Sequence, residues 1–137
     1  MRERLPNLLL LREPIESLAL ESVADEVTVH FPWGSLLRGV LAEDERVFAA
    51  ICGLPRPGGA LTVMLSVTGR DDRTPLDEGD VARVRRAYRS FGLVLAEHRA
   101  VIRADVDAAR SSWGKRLGVG QARPGLLLRF VRDSAPA

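Results

Sequence analysis

The sequence predicts a single α/β domain in which helices connect the strands of one sheet. Runs of β-branched or leucine-rich residues alternate with segments of helical periodicity, and turn-forming residues separate them. The chain has 137 residues, of which 46% are hydrophobic, and this is enough for one domain with a core. Ligands of such sheets bind beyond the carboxyl ends of the strands, so the turns that follow strands are the first candidates for a site.

Five apolar runs are predicted as strands. The first is a continuous leucine run, which is typical of a strand buried on both faces. The second is rich in β-branched residues and is stopped by Pro32 and then Gly34. In chain order, the predicted strands cover residues 8–11, 27–31, 61–67, 93–103 and 126–131.

Two helices are predicted between the second and third strands, over residues 35–40 and 44–52. The latter places Val47, Phe48 and Ile51 on one face. Prolines and glycines then predict a break in the chain, at Pro55, Pro57, Gly58 and Gly59.

A third helix is predicted to begin at Thr74-Pro75, with threonine as the N-cap and proline at the first helical position. Gly92 supplies its C-terminal stop. Four apolar residues recur at helical spacing between these ends, namely Val81, Val84, Tyr88 and Phe91. A short fourth helix is predicted over residues 105–110.

The composition excludes several classes of protein. One cysteine, Cys52, cannot form an internal disulfide, so a secreted disulfide scaffold is excluded and a cytoplasmic protein is expected. The apolar runs are far shorter than the roughly 20 residues that cross a bilayer, so no membrane segment is expected. His30 and His98 have no cysteine or carboxylate at ligand spacing, and no metal site is predicted.

Charge is distributed unevenly along the chain. Residues 1–82 hold 8 basic and 14 acidic side chains, whereas residues 83–132 hold 12 and 3, although the net charge is only +2. Lys115 is the single lysine, and arginine binds phosphate through a bidentate fork. From charge alone, solvated helix faces are the favoured interpretation, and a phosphate-rich partner is the alternative.

Each of the two tryptophans lies among turn residues rather than in a periodic core. The first block is residues 30–39, His-Phe-Pro-Trp-Gly-Ser-Leu-Leu-Arg-Gly, and the second is residues 111–120, Ser-Ser-Trp-Gly-Lys-Arg-Leu-Gly-Val-Gly, followed by Arg123. Taken singly, each tryptophan favours a structural role, because tryptophan usually packs part of its ring into a core.

Together, the two blocks resemble the 16S rRNA (adenine(1408)-N(1))-methyltransferases, the kanamycin–apramycin resistance type of enzyme. The first block carries Pro32-Trp33-Gly34 after Ala24-Asp25 and the strand 27–31, and the second carries residues 112–117. Leu5-Pro6-Asn7, the leucine run and residues 16–18 resemble the family's third strand and the loop after it. The resemblance spans nearly the whole chain.

The resemblance implies a Rossmann-like methyltransferase sheet that uses S-adenosylmethionine, as a monomer acting on 16S rRNA in the 30S subunit. It implies that Trp33 and Trp113 clamp a flipped adenine, with Phe31 supporting the first turn. Ser111 is implied beside the base. Lys115, Arg116 and Arg123 are implied contacts to RNA, and Glu16 and Pro32 are implied contacts to the cofactor.

Elementary chemistry is consistent with this implication. A base inside a duplex must be extruded before an enzyme can modify its Watson–Crick edge, and stacking on aromatic rings offsets the few kcal/mol that extrusion costs. Adenine N1 carries a free lone pair, so methyl transfer needs in-line placement rather than a general base.

The sequence departs from the family in its cofactor motif. A glycine-rich turn after the first strand and an acidic residue ending the second are absent, because Gly58-Gly59 and the glycines at 118 and 120 do not follow a first strand. The chain is therefore expected to begin at the family's third strand, lacking the first two. The alternative function is a non-catalytic RNA-binding remnant, and an α/β domain unrelated to RNA is a third possibility.

Overall fold

The computed structural model describes residues 8–66, 76–109 and 125–134. In chain order the described elements are a 3-10 helix η1 (Ile15–Ser17), β1 (Ala24–His30), α1 (Gly34–Val40), α2 (Glu45–Cys52), β2 (Pro55–Leu65), α3 (Glu78–Arg89), β3 (Leu93–Ala100), α4 (Arg103–Ala109) and β4 (Leu126–Arg132). No helix in these ranges is long and apolar enough to cross a membrane.

The α/β prediction is confirmed, and the sheet is mixed. Its strand order is β1-β2-β4-β3. β1 and β2 run parallel, as expected for strands joined through helices. β4 is antiparallel to both of its neighbours and lies between β2 and β3. The carboxyl ends of β1 and β2 therefore lie at the same end of the sheet, where β4 begins.

Side-chain alternation divides the core between the two faces of the sheet. Helices α1, α2 and α3 supply Leu37, Phe48 and Tyr88 to the larger cluster, which packs on Leu61 and Phe130 of the strands. Tyr88 is fully buried and stacks on Phe130 with ring centroids 4.0 Å apart. Its hydroxyl donates a hydrogen bond of 2.7 Å to the Val40 carbonyl, so this buried polar group is satisfied.

The helices begin at capping residues. Asp44 accepts a hydrogen bond from the Val47 amide at the start of α2, where a helix was expected. The predicted start of α3 is wrong: the helix begins after Asp77, which forms a reciprocal capping box with Asp80. Threonine and proline gave the expected cap pattern, but two carboxylates further along form the cap.

The predicted strand over residues 8–11 is wrong. These leucines belong to no strand, and their exposed fractions run from 54% for Leu11 to 83% for Leu10. A strand buried on both faces needs neighbours on both sides, and within the described ranges the run has no sheet partner.

The break expected at residues 55–59 is wrong as well, because β2 already begins at Pro55. The register with β1 shifts here, from Ala24 opposite Pro55 to Glu26 opposite Ala60. Gly58 adopts a positive φ of 82° inside this irregularity. Proline and glycine are tolerated in the strand because they occupy a bulge rather than a regular ladder.

Candidate functional site

The turn after β1 lies at the carboxyl end of the parallel strands. Phe31 is 3% exposed, and its amide donates a hydrogen bond of 2.7 Å to the Met64 carbonyl of β2. Its φ is +51°, a left-handed conformation that is rare for a bulky residue. A buried ring and a ladder hydrogen bond hold this backbone in place, so the turn is fixed at its first residue.

Trp33 projects from this fixed turn into solvent. It is 74% exposed and stands at the N-cap position of α1. Gly34 follows with a φ of +61°, and an added Cβ there would meet nothing within 4 Å. The glycine is therefore needed for its backbone conformation rather than for space. Trp33 contributes little to the core, and its indole is free to stack on a ligand.

A small second core joins this turn to α4 on the face of the sheet opposite the larger cluster. Phe31 and Met64 pack there with Val101, Val106 and Leu127, and all five residues are at most 7% exposed. Val106 lies in α4, which ends at Ala109. α4, the helix that precedes the second tryptophan block, is thus anchored beside the first tryptophan block.

An ion-pair network fixes the start of α4 to β3. Two nitrogens of the Arg99 guanidinium each donate to one oxygen of Asp105 at 2.7 Å, and its Nε donates to Glu97 at 2.6 Å. Asp105 also accepts from the Ile102 amide at 2.8 Å. The hydrogen bond from Arg99 lowers the pKa of Asp105, and the two carboxylates raise the pKa of Arg99.

The sequence predicted no role for Arg99 or Asp105, although it carried a signal for Asp105. The aspartate is the third residue of α4, the position from which a carboxylate caps the amide before a helix. Its pairing with Arg99 depends on the turn between β3 and α4, which no local pattern specifies.

Glu16 lies on the exposed surface of η1, beside a groove of about 570 Å³. The opposite walls of the groove come from β1, α1 and α2 and include Val29 and Leu36. His30 also lines it, and partial burial lowers the pKa of this histidine. Pro32 is half-buried in the turn and is not part of the groove lining. The predicted cofactor contacts of Glu16 and Pro32 stay predictions.

The second block lies outside the described residues. This applies to Ser111, Trp113, Lys115, Arg116 and Arg123, whose predicted roles stay predictions. Ser111 is two positions along the chain from Ala109, and Trp113 is four.

Cys52 is 1% exposed at the end of α2, and desolvation raises its thiol pKa to about 12. Such a thiol stays protonated and behaves as a small hydrophobic residue. Within the described ranges, no group of three or more histidine, cysteine or carboxylate side chains is placed to hold a metal ion.

Comparison with known protein families gives a match over residues 1–132, to the NpmA family of 16S rRNA (adenine(1408)-N(1))-methyltransferases. A curated relative from Streptoalloteichus hindustanus, named 16S rRNA (adenine(1408)-N(1))-methyltransferase, is 33% identical over 131 residues. That match takes in 87% of this chain and 59% of the relative. The chain therefore spans about three fifths of the length of that relative.

Solved structures agree with this match. The 16S rRNA (adenine(1408)-N(1))-methyltransferase from Catenulisporales acidiphilia is 33% identical with a TM-score of 0.71, covering 96% of this chain and 65% of that one. The 16S rRNA methyltransferase KamB is 27% identical with a TM-score of 0.70, covering 87% and 60%. An aminoglycoside resistance methyltransferase is 32% identical with a TM-score of 0.61, covering 86% and 57%.

Proposed function

The chain belongs to the family of 16S rRNA (adenine(1408)-N(1))-methyltransferases, and from this premise we propose its reaction. The proposed reaction moves a methyl group from S-adenosylmethionine to N1 of adenine 1408 in the 16S rRNA of the 30S subunit. Methylation of that base would give aminoglycoside resistance, the property for which one solved neighbour is named.

The observation that carries the proposal is the exposed indole on a fixed turn. Trp33 is 74% exposed, whereas Phe31 two residues earlier is 3% exposed and bonded to β2. Stacking of one base on an aromatic ring contributes about 1–3 kcal/mol, which is comparable with the cost of extruding a base. A fixed turn loses little conformational freedom on binding, so more of this stacking energy is available.

The reaction requires placement more than proton transfer. The chemistry supplied by bound S-adenosylmethionine is a methyl group on a positively charged sulfur. The N1 lone pair forms the new C–N bond as the C–S bond breaks, and the positive charge passes from sulfur to the adenine ring. Trp33 would hold the ring in line with the methyl group, and its indole face would stabilise the cationic product. No general base is needed before attack.

The second block supplies the remaining proposed contacts. Trp113 would cover the opposite face of the adenine, and Ser111 would lie beside the base. Lys115, Arg116 and Arg123 would bind phosphates, which fix the orientation of the enzyme without reading sequence. The small second core supports this arrangement, because Phe31 and Val106 pack in the same cluster.

The described residues fit part of a cofactor site. The exposed Glu16 carboxylate at the groove could accept hydrogen bonds from ribose hydroxyls or from an adenine amino group, and Pro32 would approach from the turn. The turn after β1 is Phe31-Pro32-Trp33-Gly34 and not the glycine-rich turn that allows close approach of the backbone to the ligand. We therefore expect weak cofactor binding by this chain alone. Calorimetric titration with S-adenosylmethionine tests this, and ordinary micromolar binding would contradict it.

Primer extension on 30S subunits tests the reaction. After incubation with the protein and S-adenosylmethionine, reverse transcriptase should stop at adenine 1408, because an N1 methyl group blocks base pairing. Trp33→Ala should abolish the stop, and Trp33→Phe should retain part of it because a stacking ring remains.

The alternative function is RNA binding without catalysis. It predicts no stop for any variant, together with 30S binding that Trp33→Ala weakens. If Trp33→Ala changes neither methylation nor 30S binding, the indole has no role in RNA recognition. A wild-type protein that neither methylates nor binds 30S subunits would exclude both functions.

A further inference from the structure

One buried hydroxyl in the described part of the chain has no hydrogen-bond partner. The Oγ of Ser66 is shielded from solvent and makes no hydrogen bond. Two other hydroxyls are satisfied within the fold. The Tyr88 hydroxyl donates to the Val40 carbonyl at 2.7 Å, and Thr62 Oγ1 accepts from Arg129 at 2.9 Å. A hydroxyl that leaves water without gaining a partner lowers stability, so the unpaired state of Ser66 requires an explanation.

Ser66 lies at the end of the sheet that carries the candidate site. It directly follows β2, which ends at Leu65. Two positions earlier, the Met64 carbonyl accepts the hydrogen bond from the Phe31 amide. Because side chains alternate along a strand, Ser66 falls on the side of Met64, which packs with Phe31 in the small second core. The hydroxyl is therefore one strand away from the turn that carries Trp33.

An extruded adenine has the chemistry to satisfy this hydroxyl. Its exocyclic amino group donates hydrogen bonds and its ring nitrogens N3 and N7 accept them, while a serine hydroxyl can donate once and accept twice. A base that leaves its duplex also loses its pairing partner, so its polar atoms need new contacts. Ser66 does not line the groove beside Glu16, which favours the base over the cofactor as its ligand.

We propose that the Ser66 hydroxyl is a further contact to the extruded adenine, through the exocyclic amino group or a ring nitrogen other than N1. Stacking on Trp33 fixes the plane of the base but leaves it free to rotate within that plane. A hydrogen bond at the edge of the base removes this freedom and so directs N1 toward the methyl group. This inference rests on the proposed function, because the base is the one that the reaction methylates.

The first measurement is the stability of the free protein with Ser66→Ala. The substitution removes a hydroxyl that pays for desolvation without a bond, so the Tm should rise by about 2–4 °C. Ser90→Ala is the matched control, because Ser90 Oγ donates to the Ala87 carbonyl at 2.6 Å at the end of α3. Its Tm should not rise.

The second measurement is recognition of 30S subunits by the same two variants of the full chain. Ser66→Ala should raise the Kd for 30S subunits about three- to tenfold, the range expected for one neutral hydrogen bond. The rate of methylation at limiting 30S subunits should fall by the same factor. Ser90→Ala should change both quantities less than twofold. The Kd is measured without S-adenosylmethionine and therefore does not depend on catalysis.

The combination of a more stable protein and weaker recognition is specific to the proposal. A lower Tm for Ser66→Ala would overturn it, because the hydroxyl would then have a partner within the fold. An unchanged Kd and rate for Ser66→Ala, with a wild type that binds 30S subunits, would overturn it and leave the proposed function standing. A wild type that neither binds nor methylates 30S subunits would instead remove the proposed function, and this inference with it.

Discussion

Two segments meet at the carboxyl end of the sheet, and only one of them is also held by an ion pair. The turn at residues 31–34 is fixed by the buried Phe31 ring and its hydrogen bond to Met64. The start of α4 is fixed by Arg99 and Asp105, whose side chains are 40% and 14% exposed. Burial stabilises both segments, because Val106 of α4 packs in the same cluster as Phe31, but the start of α4 also depends on charges that salt screens. The first tryptophan thus stands on a rigid base, and the segment leading to the second is sensitive to pH and salt.

The largest effect should come from Phe31→Ala. The ring is 3% exposed in a cluster with Met64 and Val106, so its removal leaves a cavity in a small core. Truncation of a buried phenylalanine costs about 3–5 kcal/mol, and urea denaturation should show a loss of this size. Phe91→Ala is the control, because Phe91 is 43% exposed and should cost clearly less. Equal losses would mean that Phe31 does not anchor the turn.

Gly34→Ala should have the next largest effect. The φ of Gly34 is +61° and nothing lies within 4 Å of an added Cβ, so only backbone strain opposes the substitution. That strain is about 1–2 kcal/mol in the free energy of unfolding. Gly53→Ala is the matched control, because Gly53 caps α2 with a φ of −78° that alanine adopts readily. The idea of a turn held in a left-handed conformation fails if both variants lose the same stability.

The ion pair should give a smaller, pH-dependent effect. The pKa of Asp105 is lowered in the folded protein, so its contribution is present above the unfolded pKa of about 3.9 and disappears as the pH falls through the folded value. Asp105→Asn should therefore be less stable than the wild type at pH 7, and the difference should vanish in acid. Urea midpoints from pH 2 to pH 7 measure this.

Salt provides an independent check on the same variant. The difference between wild type and Asp105→Asn should shrink when the NaCl concentration rises to 1 M, because Arg99 and Glu97 are exposed. The Phe31→Ala difference should not shrink. A salt-independent Asp105→Asn effect would show that α4 is held mainly by its apolar contacts through Val106.

Hydrophobic periodicity and turn residues predicted most of the helices and strands. They could not predict which strands and which side chains pair with one another. The second helix was found because Val47, Phe48 and Ile51 repeat on one face and all three are buried. The leucine run at residues 8–11 was misassigned because a strand's existence depends on its neighbours, which sequence composition does not record. Arg99 and Asp105 were missed for the same reason: they meet only after β3 and α4 fold.

The structure describes one part of the candidate site, the turn that carries Trp33, and the predicted roles of the site residues stay predictions. Trp33 was singled out because it lies among turn residues, and the structure shows it exposed. Glu16 lines the groove and Pro32 does not, and neither placement follows from the spacing of the two residues along the chain.

The smallest expected effect on stability is also the most informative. Trp33 is 74% exposed at the N-cap of α1, and its side chain accepts no hydrogen bond from the helix. Trp33→Ala should therefore change the free energy of unfolding by less than about 0.5 kcal/mol, the usual range for surface positions. If the indole serves RNA recognition, the same variant should lose 30S binding or methylation at unchanged stability. A loss of about 2 kcal/mol or more in the free energy of unfolding would instead place Trp33 among the residues that stabilise the fold. In that case the buried Phe31 and the exposed Trp33 could no longer be assigned separate roles, one in anchoring the turn and the other in RNA recognition.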